Sequence, residues 1–316
     1  MKFKHLLSMI LVSTTLLVGC QSSKGTEVEE QIPVVEETSS STKQEEETTD
    51  VEKEVEEIKV VAATVSATQV LAELNAEVLG VPATSQTLPD GYQDLPQVGQ
   101  AMNPDLEIVA SLNPDLFIMD ASFKSSVEES LTEYGLNTFF FETGTYTAFL
   151  NSIKELGNAI NRQDEATTLL NQLKQAEEAA LANKTEQAPT VAIIFGAGDN
   201  FMLATESSYL GDLAKTLGAI NIASEIDTNI ESAYIQFSLE QILAQNPDYV
   251  LRFAHGNIEE TSKMFDEAFD KNEAYQQLDA VADGKVYDLD STIFNVSANL
   301  KVTEAITKLG EILYGN

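Results

Sequence analysis

From residue 58 onward, two kinds of apolar pattern take turns along the chain. Short, nearly unbroken apolar runs at 58–64, 78–82, 116–119, 138–141, 190–195, 249–253 and 285–289 read as strands buried on both faces. Between them, apolar residues recur every three or four positions. That spacing predicts helices over 67–76, 104–112, 125–134, 146–160, 209–217, 258–269 and 298–314. Thr64 or Ser66 is placed to cap the first helix, and Ser238 with Gln241 three residues on has capping-box spacing for another. Residues 83–99, with Pro89, Asp90-Gly91 and Pro96, read as a loop, and Gly196-Ala197-Gly198 as a tight turn. The longest helical pattern, 162–187, carries an apolar stripe at Leu169, Leu170, Leu173, Ala176 and Ala180.

One pattern occurs twice. Residues 106–118 (LEIVASLNPDLFI) and 239–251 (LEQILAQNPDYVL) align at a constant offset of 133. Each predicts a short helix, a break and a buried strand, and the long helix falls between them. The expected fold is therefore α/β: two βαβ lobes with central parallel sheets, 58–160 and 188–316, joined by one long α-helix at 161–187.

The N-terminus changes this picture. Lys2, Lys4 and His5 precede an apolar run at 6–18, the form of an export signal over 1–19, and the run is too short to span a bilayer comfortably. Leu17-Val18-Gly19-Cys20 resembles a bacterial lipobox, which would leave Cys20 as a lipidated first residue on the outer face of the cell membrane. Residues 21–57 hold thirteen acids and three lysines and almost no large apolar side chain. Such a tract does not bury enough surface to order itself, so 20–57 reads as an anchor and a disordered acidic tether, about 30–40 Å across as a coil.

Charge and composition exclude several functions. A formal net charge of −33 is repelled by phosphate backbones, so no nucleic-acid partner is expected. Cys20 is the single cysteine, so no disulfide supports the fold. With His5 and His255 the only histidines, and no G-x-S-x-G motif, there is little material for a zinc site or a hydrolytic triad, and an enzyme is not expected. An adhesive surface protein would leave the internal repeat unexplained.

Ligands of open α/β sheets bind beyond the carboxyl ends of the strands. The strand at 249–253 runs into Ala254-His255-Gly256, and Met102 lies just before the helix that Asp105 caps. Both residues are thereby expected at one cleft between the lobes, flanked by Ala101, Phe253, Ala254 and Tyr92. An imidazole and a thioether together ligate haem iron in known proteins. From the residues alone, Met102 also reads as a hydrophobic staple, and His255 as an ordinary satisfied histidine.

The run Gly80-Val81-Pro82, Leu88-Pro89, Tyr92, Asp94, Pro96-Gln97-Val98-Gly99, Ala101-Met102 and Pro104-Asp105-Leu106-Glu107 resembles the haem-binding lipoproteins of Gram-positive iron-uptake systems, the IsdE-like group of the helical-backbone (class III) substrate-binding proteins. Leu251-Arg252-Phe253-Ala254-His255-Gly256 resembles that group's second haem segment. The likeness covers nearly all of 58–316. It implies a monomer that clamps haem b, its transported ligand, between Met102 and His255. It also implies delivery to an ABC permease for haem-iron uptake, with cell-surface haem-transfer proteins as possible donors upstream.

In that group the positions of Val65, Ser66, Thr84, Ser85 and Gln86 contact the haem propionates. Here a helix N-terminus at Thr64-Val65-Ser66 would supply amides and positive potential. Gln86 stands where a close relative would carry lysine, and Arg252 is a candidate to supply the missing charge. Glu107 and Glu240, each second in its helix, would favour the helix dipole by about 0.3–1 kcal/mol. In the wider family such acids dock onto basic permease residues. A ferric-siderophore or cobalamin receptor of the same family is the alternative, with His255 as a pocket residue. Siderophore pockets gather several Arg or Lys, and few are placed here.

Overall fold

The computed structural model describes residues 57–197, 200–226, 231–255 and 258–315. The export signal, Cys20 and the acidic tract before Glu57 lie outside the described residues, as do Gly198 and Gly256. The first lobe runs β1 (Val60–Ala62), α1 (Val65–Glu73), β2 (Val78–Gly80), β3 (Gly99–Gln100), β4 (Asn103–Pro104), α2 (Leu106–Ser111), β5 (Leu116–Asp120), α3 (Lys124–Glu133), β6 (Thr138–Phe141) and α4 (Tyr146–Ala159). Next comes α5 (Gln163–Ala180), eighteen residues and about 27 Å long at the usual helical rise. The second lobe continues with β7 (Thr190–Ala197), β8 (Asn200–Ala204), α6 (Tyr209–Thr216), β9 (Ile220–Asn221), α7 (Ala223–Ile226), β10 (Tyr234–Gln236) and α8 (Leu239–Gln245). It ends with β11 (Tyr249–His255), α9 (Ile258–Asp270), α10 (Asp279–Ala282), β12 (Val286–Asp288) and α11 (Val302–Tyr314).

The first sheet has the order β2-β1-β5-β6 with every pair parallel. The second has the order β10-β8-β7-β11-β12, with β9 also on β7. Its centre, β7-β11-β12, is parallel as expected, but β8 and β10 add an antiparallel flank that the apolar pattern did not reveal. That flank corrects the turn expected at Gly196: β7 continues through Ala197, paired on both sides. Gly196 serves a close approach instead, since a methyl group there would lie 2.4 Å from Thr261 Cγ2 on α9.

Strand side chains alternate between two cores. Val60, Ala62, Leu116, Ile118, Val191, Ile193, Phe195, Leu251 and Phe253 point into one core shared by both lobes. Their neighbours in sequence point away into separate cores, with Val61, Phe117 and Met119 in one and Ala192, Ile194 and Val250 in the other. The stripe of α5 enters the shared core, through Leu169, Leu173 and Ala180. α5 packs on α1, α4 and α11. Gly310 makes the last contact possible, because a methyl group there would lie 2.7 Å from Ala180 Cβ.

The repeated Asn-Pro-Asp triplet does the same work in both lobes. Asn113 and Asn246 end α2 and α8 in the left-handed region, with φ of 49° and 42°. Two residues on, the Asp115 carboxylate accepts from Lys59 N at 2.8 Å, and that of Asp248 from Thr190 N at 2.8 Å. Each aspartate thus ties its strand to the start of the neighbouring parallel strand.

The last helix begins at Val302 rather than at the expected 298. Asn299 Oδ1 accepts from Lys301 N at 2.8 Å, a turn that competes with the helix, and Ala298 N donates out to Thr143 O at 2.8 Å. Residues 292–301 are therefore irregular and reach the first lobe.

Candidate functional site

A cavity of about 420 Å³ opens where the carboxyl ends of both sheets meet. Strand parity decides which side chains reach it. Ala62, Ile118, Phe141 and Phe253 are the last apolar residues of β1, β5, β6 and β11 that face the shared core. Two positions further on, the same face carries Thr64, Asp120, Thr143 and His255, and all four line the cavity. His255 is exposed there, while Phe253 beneath it is buried against Phe195, with ring centroids 5.0 Å apart.

Of the residues expected at a ligand, Val65, Ser66, Thr84, Gln86 and His255 line this cavity together. The Thr64 hydroxyl caps α1 by accepting from Ala67 N at 3.2 Å. The amides of Val65 and Ser66 fall in the first turn, where the helix has no acceptor for them. Thr84 Oγ1 accepts from Gln86 N at 3.0 Å, which shapes the opposite loop. Ser85 is exposed and is not part of the lining.

Met102 lies at the second position of the two-residue turn between β3 and β4. It is 70% exposed, and the lining residue is its neighbour Ala101. Gly99, with φ of 90°, allows this hairpin to fold onto Asp105 N, which a methyl group there would approach to 2.8 Å.

Some expected flanking residues belong elsewhere. Phe253, Ala254 and Tyr92 do not line the cavity. Tyr92 donates to Ala76 O at 3.1 Å, and burial raises the pKa of its hydroxyl. Arg252 is one residue out of phase with His255 and points to the other side of the sheet. It is buried, forms a bidentate pair with Asp288, donates to Asp266 at 3.3 Å, and stacks over Phe265 and Phe269. It cannot supply charge to the cavity.

Besides single residues such as Gln69 and Phe123, two groups of lining residues were not marked by the sequence pattern. Asp120 and Thr143 form one: Thr143 Oγ1 donates to Asp120 Oδ2 at 2.5 Å, and Ser122 N to Oδ1 at 2.9 Å. Parity beyond the last apolar residue would have found both. The other is a third wall, Thr292, Asn295, Val296, Ser297, Ala298, Asn299 and Lys301. No local pattern marks it, because contacts with the first lobe position it. Near its start, Asp290 accepts from Thr292 N at 2.8 Å; chiefly through that bond, and less through Lys301, its carboxyl is held below the usual range. Gln69 also lines the cavity, and its Oε1 is buried without a hydrogen-bond partner among the described residues.

Glu107 and Glu240 are exposed in the first turns of α2 and α8, beside the caps Asp105 and Ser238. They occupy equivalent places in the two lobes.

Residues 60–293 match the family described as Periplasmic binding protein. Over 317 residues the chain is 31% identical to the high-affinity heme uptake system protein IsdE of Staphylococcus aureus (strain MRSA252), covering 99% of each chain. An ABC transporter substrate-binding protein from Listeria monocytogenes EGD-e superposes with a TM-score of 0.73 at 33% identity, over 82% of this chain and 100% of that one. S. aureus IsdE complexed with heme superposes with a TM-score of 0.69 at 32% identity, over 82% and 99%. S. aureus SirA complexed with staphyloferrin B, at 22% identity and a TM-score of 0.67 over 81% and 92%, shares the fold.

Proposed function

The chain belongs to the periplasmic binding protein family, and from that premise we propose that it captures haem in the cleft and hands it to an ABC permease, working as a monomer anchored through Cys20 on the outer face of the cell membrane. One observation carries the reading: strand parity brings His255, the only histidine after His5, to the rim of the cavity. There its imidazole would serve as one axial ligand of the iron. Among the described residues no three His, Cys, Asp or Glu side chains gather as a metal site. The exposed thioether of Met102, next to the lining residue Ala101, would be the second axial ligand.

The lining suits such a cargo. Val65, Pro82, Ala83, Ala101, Phe123 and Val296 supply apolar surface for a flat ring. The first-turn amides of α1 and the 84–86 loop supply donors for its propionates. The volume lies within the about 300–1,000 Å³ of small-molecule sites. The full-length likeness to a heme uptake protein supports the same cargo. A ferric siderophore with several anionic groups would meet one basic side chain, Lys301, among the described lining residues.

Titration with haemin tests the reading. A Soret band and visible spectrum of low-spin Met–His haem are expected. His255→Ala should abolish that spectrum and Met102→Ala should convert it to another coordination state. An unshifted haemin spectrum in the wild-type protein would refute the proposal. The anchor is tested separately, by metabolic labelling with a palmitate analogue: label that persists in Cys20→Ala would exclude lipidation at that residue.

A further inference from the structure

A ligand with two carboxylates gains from a cation beside the amides already offered to it, and the 84–86 loop, Thr-Ser-Gln, holds none. We infer that Lys301, on the wall contributed by the second lobe, is the carboxylate-binding cation of this cleft and selects macrocycles that bear free acids. This rests on the haem reading above and goes beyond it by naming a residue that determines specificity.

Three observations converge on Lys301. It is the one Lys or Arg among the described residues lining the cavity, where Asp120 is the one acid. The Asp120 carboxylate is already engaged by Thr143 and Ser122. Arg252, the other basic residue near this strand edge, is committed to Asp288 and Asp266.

The Lys301 ammonium is also poised. Its Nζ donates to Thr292 O at 2.8 Å, a neutral carbonyl on the same wall. An ammonium has three donors, so two remain for a ligand. Asp290, just before this segment, spends Oδ1 on Thr292 N and makes no hydrogen bond to Lys301, although the ammonium's charge contributes to holding that carboxyl below its usual range.

The placement is fixed from the far lobe. Ala298, three residues earlier, donates to Thr143 O at 2.8 Å and accepts from Ser66 Oγ at 2.9 Å. Ser66 belongs to the first turn of α1, whose amides face the same cavity. One lobe thus offers helix-end amides and the other an ammonium, so a dicarboxylate ligand would be held from both sides.

The test compares haemin with haemin dimethyl ester, which keeps the iron and ring but lacks the acids. Equilibrium titrations would use wild type, Lys301→Ala and Lys301→Arg. The expected result for Lys301→Ala is a loss of roughly tenfold or more in haemin affinity, the scale of a charge-assisted bond. The ester's affinity should stay within about twofold of wild type, since no charge is there to lose. Lys301→Arg should recover most haemin affinity, and the iron spectrum should be unchanged in both variants. Equal losses for haemin and ester would assign Lys301 to wall packing and overturn the inference. So would unaltered haemin affinity in Lys301→Ala. A wild-type protein blind to haemin removes the haem reading itself, a result distinct from either.

Discussion

The Ser66 hydroxyl donates to the carbonyl oxygen of Ala298 at 2.9 Å, joining residues 232 positions apart. Ala298 N reaches Thr143 O in the same lobe as Ser66. Both backbone groups of one residue are therefore held by the opposite lobe, and the 292–301 segment becomes a wall of the cleft. This bond joins two residues that line the cavity, so its strength bears on the cavity wall as well as on stability.

Ser66→Ala should lower stability by about 0.5–1.5 kcal/mol, the usual net worth of one such bond. Bound haemin should also dissociate faster from the variant. Urea denaturation and stopped-flow transfer to an acceptor protein measure the two effects; no change in either would mean the wall is held without this bond.

The two repeat asparagines should respond differently to glycine. Asn246 uses its side chain: Nδ2 donates to Asp279 Oδ2 at 2.7 Å, and Asp279 N donates to Oδ1 at 3.1 Å. Asn246→Gly should therefore cost about 1–2 kcal/mol although it relieves a positive φ. Asn113 has the same backbone conformation and is exposed, so Asn113→Gly should stay within about 0.5 kcal/mol of wild type. Equal costs at both positions, measured by urea unfolding, would contradict this assignment.

Asp290 gives the third wall a dependence on acid. Its folded pKa is depressed below 3.8, first by the Thr292 backbone bond. A depressed carboxyl stabilises the fold fully above its unfolded pKa, and the gain is lost as pH falls through the folded value. Asp290→Asn should then be less stable than wild type at neutral pH, with the difference vanishing well below pH 3.8. Thermal melts of both proteins across that range would show it; a gap that persists in acid would exclude Asp290 as its source.

Glu107 and Glu240 hold matching places at the two lobes, and we propose that both dock on basic residues of the permease. Replacing both with lysine should leave haemin affinity unaltered and abolish haem-dependent growth of cells. Sustained growth of the double variant would rule the docking role out.

What was legible in the sequence was local. Strand and helix spacing showed α/β lobes around a long helix, and the Asn-Pro-Asp repeat marked equivalent positions because the same helix end and strand tie recur in each lobe. His255 could be placed at the ligand edge because it lies at the carboxyl end of a strand of a βαβ unit, where parity with the buried Phe253 sets its face. The antiparallel strands β8 and β10 escaped notice because they are only partly buried and so lack an unbroken apolar run. Tertiary structure decided the rest. It committed Arg252 to Asp288, left Met102 on an exposed turn, and carried Lys301 to the cavity. Those outcomes depend on contacts between residues far apart in the chain, such as Ser66 with Ala298, and periodicity along a chain encodes only which face a residue takes, not which distant partner will meet it.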